Sequence, residues 1–140
     1  VPDLSNHVGR WTGTWSTWLR PGELHDESAI DAEVVAADGG WKVEYTGRIA
    51  DDVVTGRMVV STDGERIDWN DSWHTAGEDQ HLAAAGGSMP AYDYGPDDAP
   101  WTWSIAIDPG PDSLTVTHHN RPPGGEAAVA VVMQLARPDA

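Results

Sequence analysis

The sequence predicts an all-β fold, a single antiparallel up-and-down β-barrel of about 8–10 strands built from one domain over residues 1–140. Three observations predict it. Apolar and polar residues alternate with period two along most of the chain, as half-buried strands require, and no stretch sustains a helical period. Turn-forming Pro-Gly, Asp-Gly and Gly-Gly pairs punctuate the alternation at short intervals. The regular up-and-down spacing suits a closed meander better than a sandwich. A chain of 140 residues can bury a core of its own without staples.

The first strand runs from Gly9 to Trp18, with Trp11, Gly13 and Trp15 on one side and Thr12, Thr14 and Ser16 on the other. Arg20-Pro-Gly-Glu23 turns the chain into a second strand from about Ser28 to Ala36, where Ile30, Ala32 and Val34 oppose Asp31 and Glu33. After Asp38-Gly-Gly40, Trp41, Val43 and Tyr45 alternate with Lys42, Glu44 and Thr46. Val54, Gly56, Met58 and Val60 line one side of the fourth strand, and Asp63-Gly64 is the strongest hairpin signal, since both central residues of a type I′ turn need positive φ. The fifth strand spans Ile67 to His74 and a weaker sixth covers about Gln80 to Ala85. Gly86 to Pro100 reads as a long irregular segment, and loops of that length often serve as lids over a binding site. Trp101 to Asp108, Leu114 to Asn120 and Glu126 to Ala136 complete nine strands, with Pro122-Pro-Gly-Gly125 as the last turn. Glycines 13, 47 and 56 are expected to mark bends where a small barrel turns its corners, and a short 3₁₀ or helical piece near Leu4 to Val8 to cap one end.

The formal charge is −15, from 8 basic and 23 acidic residues, and no Lys/Arg cluster reverses it locally. Such a surface repels nucleic acid and anionic membranes, so neither is an expected partner. The acidic residues are spread along the chain and serve mainly to solvate the surface. Cysteine is absent, which excludes disulfides, thiolate metal sites and cysteine nucleophiles, and fits a reducing cytoplasm. The longest apolar stretch, Ala127 to Met133, is far short of a bilayer span, and VPDLSNH at the start has no secretory character. A cytoplasmic protein is the expectation.

Eight tryptophans and no phenylalanine make the aromatic usage distinctive. Trp11 and Trp15, Trp69 and Trp73, and Trp101 and Trp103 form three pairs at even spacing, so each pair falls on one face of its strand. Six indoles so placed can wall one core or one pocket. Indole adds an N–H donor to a large apolar surface, which suits a partly wet cavity; plain core filling is the competing reading.

Gly9-Arg-Trp-Thr-Gly-Thr-Trp15 resembles the opening-strand signature of the calycins, the lipocalin and fatty-acid-binding group of barrels. Trp69-Asn-Asp-Ser-Trp-His74, Trp101-Thr-Trp103 and Asn120-Arg-Pro-Pro-Gly-Gly-Glu126 are similar, in that order, to motifs of one bacterial calycin group, the domain-of-unknown-function family 1579. The resemblance spans roughly Gly9 to Arg137. It implies a lipocalin-like barrel with an internal cavity, and it carries no assigned catalytic residues to transfer. The neighbouring nitrobindin-like haem barrels tend to open Gly-x-Trp-x-Gly-x-Gly. Here Trp15 replaces the last glycine, and a bulky indole at that place argues against a flat macrocycle. No cofactor is expected.

The densest polar cluster on any strand is Trp69-Asn-Asp-Ser-Trp-His74. Alternation puts Trp69, Asp71 and Trp73 on one face and Asn70, Ser72 and His74 on the other. Between two indoles Asp71 would be desolvated, which raises a carboxyl pKa and makes a candidate general acid or base; a strand cap or an arginine partner is the structural alternative. Parity places His118, rather than His119, with Leu114 and Val116 on the inside, where a neutral imidazole could move protons. A half-solvated histidine near a strand end is the alternative there. No His-x-His, His-Glu-x-x-His or calcium-loop spacing occurs, so no metal is expected, and Ser72 lacks a Gly-x-Ser-x-Gly elbow.

Candidate catalytic residues are therefore Asp71, His74 and His118, and candidate ligand-binding residues are Trp11, Trp15, Trp69, Trp73, Tyr92, Tyr94, Trp101 and Trp103. The expected partner is a small hydrophobic or aromatic organic ligand, and a homodimer is compatible with this reading. Two functions stand: a cofactor-free cyclase, isomerase or lyase using acid/base residues on an aromatic or polyketide-like substrate, favoured by the polar cluster, or a non-catalytic carrier of a hydrophobic or aromatic molecule.

Overall fold

Alternating side chains pack one face of each strand inward and close the sheet on itself. The computed structural model describes residues 3–84 and 89–138. In these the strands are β1 (Gly9–Arg20), β2 (Glu23–Ala37), β3 (Gly40–Ile49), β4 (Asp52–Ser61), β5 (Arg66–Asp71), β6 (Gln80–Ala83), β7 (Ala91–Tyr94), β8 (Trp101–Pro109), β9 (Ser113–Arg121) and β10 (Ala128–Ala136). Each pairs antiparallel with the next, and β1 pairs with β10 from Thr12↔Ala136 to Thr17↔Val131, closing a ten-strand barrel with no free edge. Among the described residues no helix is long and apolar enough to cross a membrane.

The tenth strand corrects the sequence reading. Ala91 to Tyr94 lie inside the stretch expected to be irregular, yet they pair with Ser104 back to Trp101 on β8. Pairing with the following strand decided the conformation there, against the flanking Gly and Pro. The lid expected over 86–100 is therefore interrupted by β7. Residues 86–88 of it, with residue 85 of the expected sixth strand, lie outside the described residues. A different element overhangs the barrel. β10 pairs with β1 only as far as Thr17, and β3 pairs with β2 only from Ile30. Trp18 to Arg20 therefore pair only with Leu24 and Glu23, as the tip of a projecting hairpin with register shifts on both sides of Trp18.

Val34, Val43, Met58, Val60, Ile105, Leu114, Val116 and Val131 are fully buried inside the barrel. The two ends differ. At one end the 3₁₀ turn Ser5–His7 closes the interior and carries Leu4, also fully buried. Trp11 belongs to this plug: its Nε1–H donates to His7 O (2.7 Å), its ring stacks on His7 (5.3 Å), and the Arg137 guanidinium lies 4.1 Å from its ring centre. Arg137 also donates to Asn6 O (2.9 Å), tying the end of the chain to its beginning. The opposite end, where β5 finishes and β8 begins, stays open.

The three glycines singled out as bends are sites of close approach. A Cβ on Gly13 would lie 1.8 Å from Gln134 O of β10. On Gly47 it would meet Trp15 Cε3 at 2.6 Å, and on Gly56 it would meet Tyr45 Cζ at 2.3 Å and Asp71 Cβ at 2.6 Å. Glycine there makes room for the β1/β10 seam and for three buried side chains. Because a backbone carbonyl cannot swing aside as a side chain can, Gly13→Ala should destabilise the barrel by about 3 kcal/mol, the upper part of the overpacking range. A urea titration with an unshifted midpoint would show that the seam adapts.

Candidate functional site

The site is built around the end of β5. The expected strand ran on to His74; it stops at Asp71, because the Asp71 carboxylate captures the next backbone donors. Oδ1 accepts from Trp73 N (2.9 Å), from His74 N and from Thr75 N (3.4 Å). This is the side-chain-to-backbone bonding by which aspartate competes with strand ladders. Thr75 Oγ1 donates to Asp71 O and accepts from Asp71 N, each at 2.9 Å. Left-handed Ala76 (φ 53°) and Gly77 (φ 80°) then bring Gly77 N to Asp71 O at 2.9 Å.

Ending the strand there overturns the parity of His74. Instead of sharing the outer face with Asn70 and Ser72, His74 folds back inside, its side chain 10% exposed and its Nδ1 2.7 Å from Asp71 Oδ2. Ser72 does stay outside, accepting from Thr55 N (3.1 Å), and offers His74 no nucleophile. Asp71 is 1% exposed. The same Oδ2 accepts from Tyr45 Oη (3.0 Å), which accepts in turn from Trp69 Nε1 (2.9 Å). The expected upward pKa shift of Asp71 is corrected as well. Burial does push it up, but the hydrogen bond and charge of His74, with the Tyr45 hydrogen bond, outweigh burial and hold the carboxyl below its usual range.

An aromatic box surrounds the dyad. His74 lies 5.7 Å from both Trp69 and Trp103, 6.4 Å from Trp15 and 4.8 Å from Trp73, which meets it edge-on. Trp69 and Trp103 stack at 5.3 Å. Gly47 admits Trp15, whose Nε1 is buried with no partner among the described residues. His118 is inside, as parity required, and 1% exposed. Trp103 Nε1–H donates to its Nδ1 (2.9 Å), so the proton of the neutral ring is on Nε2, buried and unpartnered among the described residues. Burial first, then the neighbouring His74, drives the His118 pKa down to about 3. At physiological pH the ring is therefore neutral, and it accepts from Trp103.

Next to the dyad is a cavity of about 260 Å³ at the open end. Its inner wall is Thr17, Trp73, His74, Trp103, Asn120 and Ala130, and Trp18 and Leu19 of the overhanging hairpin form its outer side. A register shift between Val129 and Val131 lets both Ala130 and Val131 face inward. Tyr92 stands opposite Trp103 and Tyr94 opposite Trp101 on the β7/β8 ladder. Burial pushes the Tyr92 phenol up to about 12, aided by Tyr94 and Asp71. Trp101 sits at the rim, 39% exposed and 6.5 Å from Tyr94.

The fold thus brings together Asp71, His74, His118, Trp15, Trp69, Trp73, Trp103 and Tyr92, with Tyr94 and Trp101 at the edge, and leaves Trp11 in the plug at the other end. Sequence reasoning missed Tyr45, Trp18 and Asn120. Tyr45 shared inward parity with Val43, the one signal that pointed to it. Among the described residues no group of three or more His, Cys, Asp or Glu is arranged to hold a metal.

Residues 3–137 match the family model described as "Protein of unknown function (DUF1579)". The chain is also similar to the crystal structure of Rv2717c from M. tuberculosis, at 12% identity over 97% of this chain and 95% of that one, with a TM-score of 0.48. No curated protein matches it.

The buried histidine has a signature in stability. Folded His118 stays neutral to about pH 3, whereas an unfolded histidine binds a proton below about 6.5. Between those values the unfolded state holds more protons, so stability falls as pH falls, by up to about 1.4 kcal/mol per unit. Asp71 acts lower down: its depressed pKa stabilises above the usual carboxylate range, and that stability is lost as pH falls through the folded value. His118→Gln keeps an acceptor for Trp103 and should flatten the upper part of the profile. Urea midpoints between pH 7 and 4 that decline as steeply in the variant as in the wild type would refute the assignment.

Proposed function

The chain belongs to the DUF1579 family, a family of proteins of unknown function, and we propose that its barrel is a calycin-type, cofactor-free acid/base catalyst acting on a small, hydrophobic or aromatic molecule held at the open end. The observation that carries this is the 2.7 Å contact of Asp71 Oδ2 with His74 Nδ1 beside an aromatic cavity. A carboxylate held ionised keeps the imidazole proton on Nδ1 and turns the lone pair on Nε2 toward the cavity, the orienting role that a carboxylate plays for a histidine base. Trp18, Trp73 and Trp103 with Leu19 and Ala130 make much of the wall apolar, so a bound molecule is desolvated and a proton on carbon can be reached with less competition from water. Proton transfer of this kind underlies isomerase, cyclase and lyase reactions, and a cytoplasmic setting suits a chain without cysteine.

A second reading is that of a carrier without turnover. It is favoured by the apolar rim, where Leu19 is 62%, Leu24 53% and Val129 39% exposed around the same opening. That is surface suited to passing a hydrophobic ligand in or out.

Nitrobenzisoxazole separates the two, because its ring opens once a base takes its single acidic C–H. The proton goes to the base, the C–H electron pair forms the nitrile, and the N–O bond breaks to release an absorbing phenolate. The wild-type protein should accelerate this, and His74→Ala should lose about 10²–10⁴ of the rate while still quenching its tryptophan fluorescence with the same probe. Saturable quenching with equal rates in both proteins would leave the carrier.

A further inference from the structure

Asn120 plays no part in the Asp71–His74 dyad, yet it lines the same cavity as His74. It stands opposite Trp103 on β8 and Ala128 on β10, in the terminal pair of the β9/β10 ladder. Its Oδ1 accepts a 2.6 Å hydrogen bond from Tyr94 Oη. Tyr94 is half-buried and burial raises its pKa, so the phenol keeps its proton and remains the donor. The bond occupies the amide's acceptor and fixes its plane. The Nδ2 amino group, two N–H donors with no partner among the described residues, is left for the cavity.

We propose that Asn120, oriented by Tyr94, anchors the carbonyl oxygen of an uncharged ketone-like ligand. This rests on the reading of the cavity above and names its ligand class. An anionic headgroup is disfavoured, since no lysine or arginine among the described residues lines the cavity and the Asp71 carboxylate stands directly behind His74, so it would meet a like charge and no cationic partner. A carbonyl oxygen fits, because an sp² oxygen accepts from a planar amide and turns a neighbouring C–H into an acid. His74 Nε2 takes that proton, the C–H electron pair forms the C=C bond of the enolate as the C=O π pair moves onto the oxygen, and the Asn120 N–H donors hold the resulting oxyanion. Return of the proton to the same or a conjugated carbon restores the carbonyl, with no oxidant or cofactor consumed.

Three probes of one shape test the anchor: indanone, indane and indane carboxylate, each titrated into the full chain by tryptophan fluorescence. Indanone should bind about tenfold more tightly than indane, the worth of one well-made hydrogen bond, and the carboxylate should bind weakest. Asn120→Leu should abolish the preference for the ketone over indane. Asn120→Asp keeps the size and the Tyr94 bond while removing the N–H donors, and should do the same, so a folding defect in the leucine variant cannot imitate the result. Tyr94→Phe should reduce the preference without abolishing it. Equal binding of indanone and indane, no binding of either, tightest binding of the carboxylate, or a preference that survives Asn120→Asp would each overturn the proposal. Turnover of nitrobenzisoxazole without a ketone preference removes the anchor and leaves the base. A ketone preference without turnover removes the base and leaves the anchor.

Discussion

A carboxylate buried at the end of a strand must either give up its charge or be supplied with donors. Asp71 takes the second course, and both fold and site turn on it. One oxygen ends β5 by binding the backbone N–H groups that follow, and the other binds Tyr45 and His74. Removing those donors would leave a buried charge unpaired. Removing the carboxylate would release the 71–77 loop and free the imidazole to rotate. The same interactions that lower the pKa of Asp71 also point His74 at the cavity, so the local stability of this end of the barrel and its chemistry have one source.

The use of tryptophan in place of phenylalanine follows from the same logic of buried polar groups. Trp69 donates to Tyr45, Trp103 to His118, and Trp11 to a backbone carbonyl of the plug. In each case the N–H ties a large apolar ring to a particular neighbour, which a phenyl ring could not do. The sequence had suggested that these donors face a partly wet cavity. Three of them are spent on the protein itself, where they fix ring orientations. Around His74 the result is a set of walls whose positions are determined by hydrogen bonds as well as by packing.

Polarity also divides the barrel along its axis. The end plugged by the 3₁₀ turn is held together by Trp11, His7 and Arg137. The open end gathers every candidate reactive group together with an apolar rim and the projecting β1/β2 hairpin. A catalyst and a carrier both need such asymmetry, with one end stable enough to hold the other open. The proposed catalyst would use the Asp71–His74 dyad as an oriented base, and the carrier would not.

Alternation and turn chemistry are properties of the covalent chain, so the all-β class, the meander, nine of the strands and the inward parity of Trp15, Trp69, Trp103 and His118 were legible in the sequence alone. Local pattern could not place the end of β5. Whether Asp71 extends the ladder or binds the next backbone donors depends on Tyr45 and on the box that closes over it, and that choice moved His74 from the outer face to the inner one. Nor could it mark β7, whose four residues are ordered by pairing with β8. The partnership of Tyr94 with Asn120 joins residues 26 positions apart, and it exists because β7, β8 and β9 lie side by side in a closed sheet. What the tertiary structure decided was therefore which polar atoms meet, since hydrogen bonds of 2.6–3.0 Å require a placement in space that no one-dimensional period encodes.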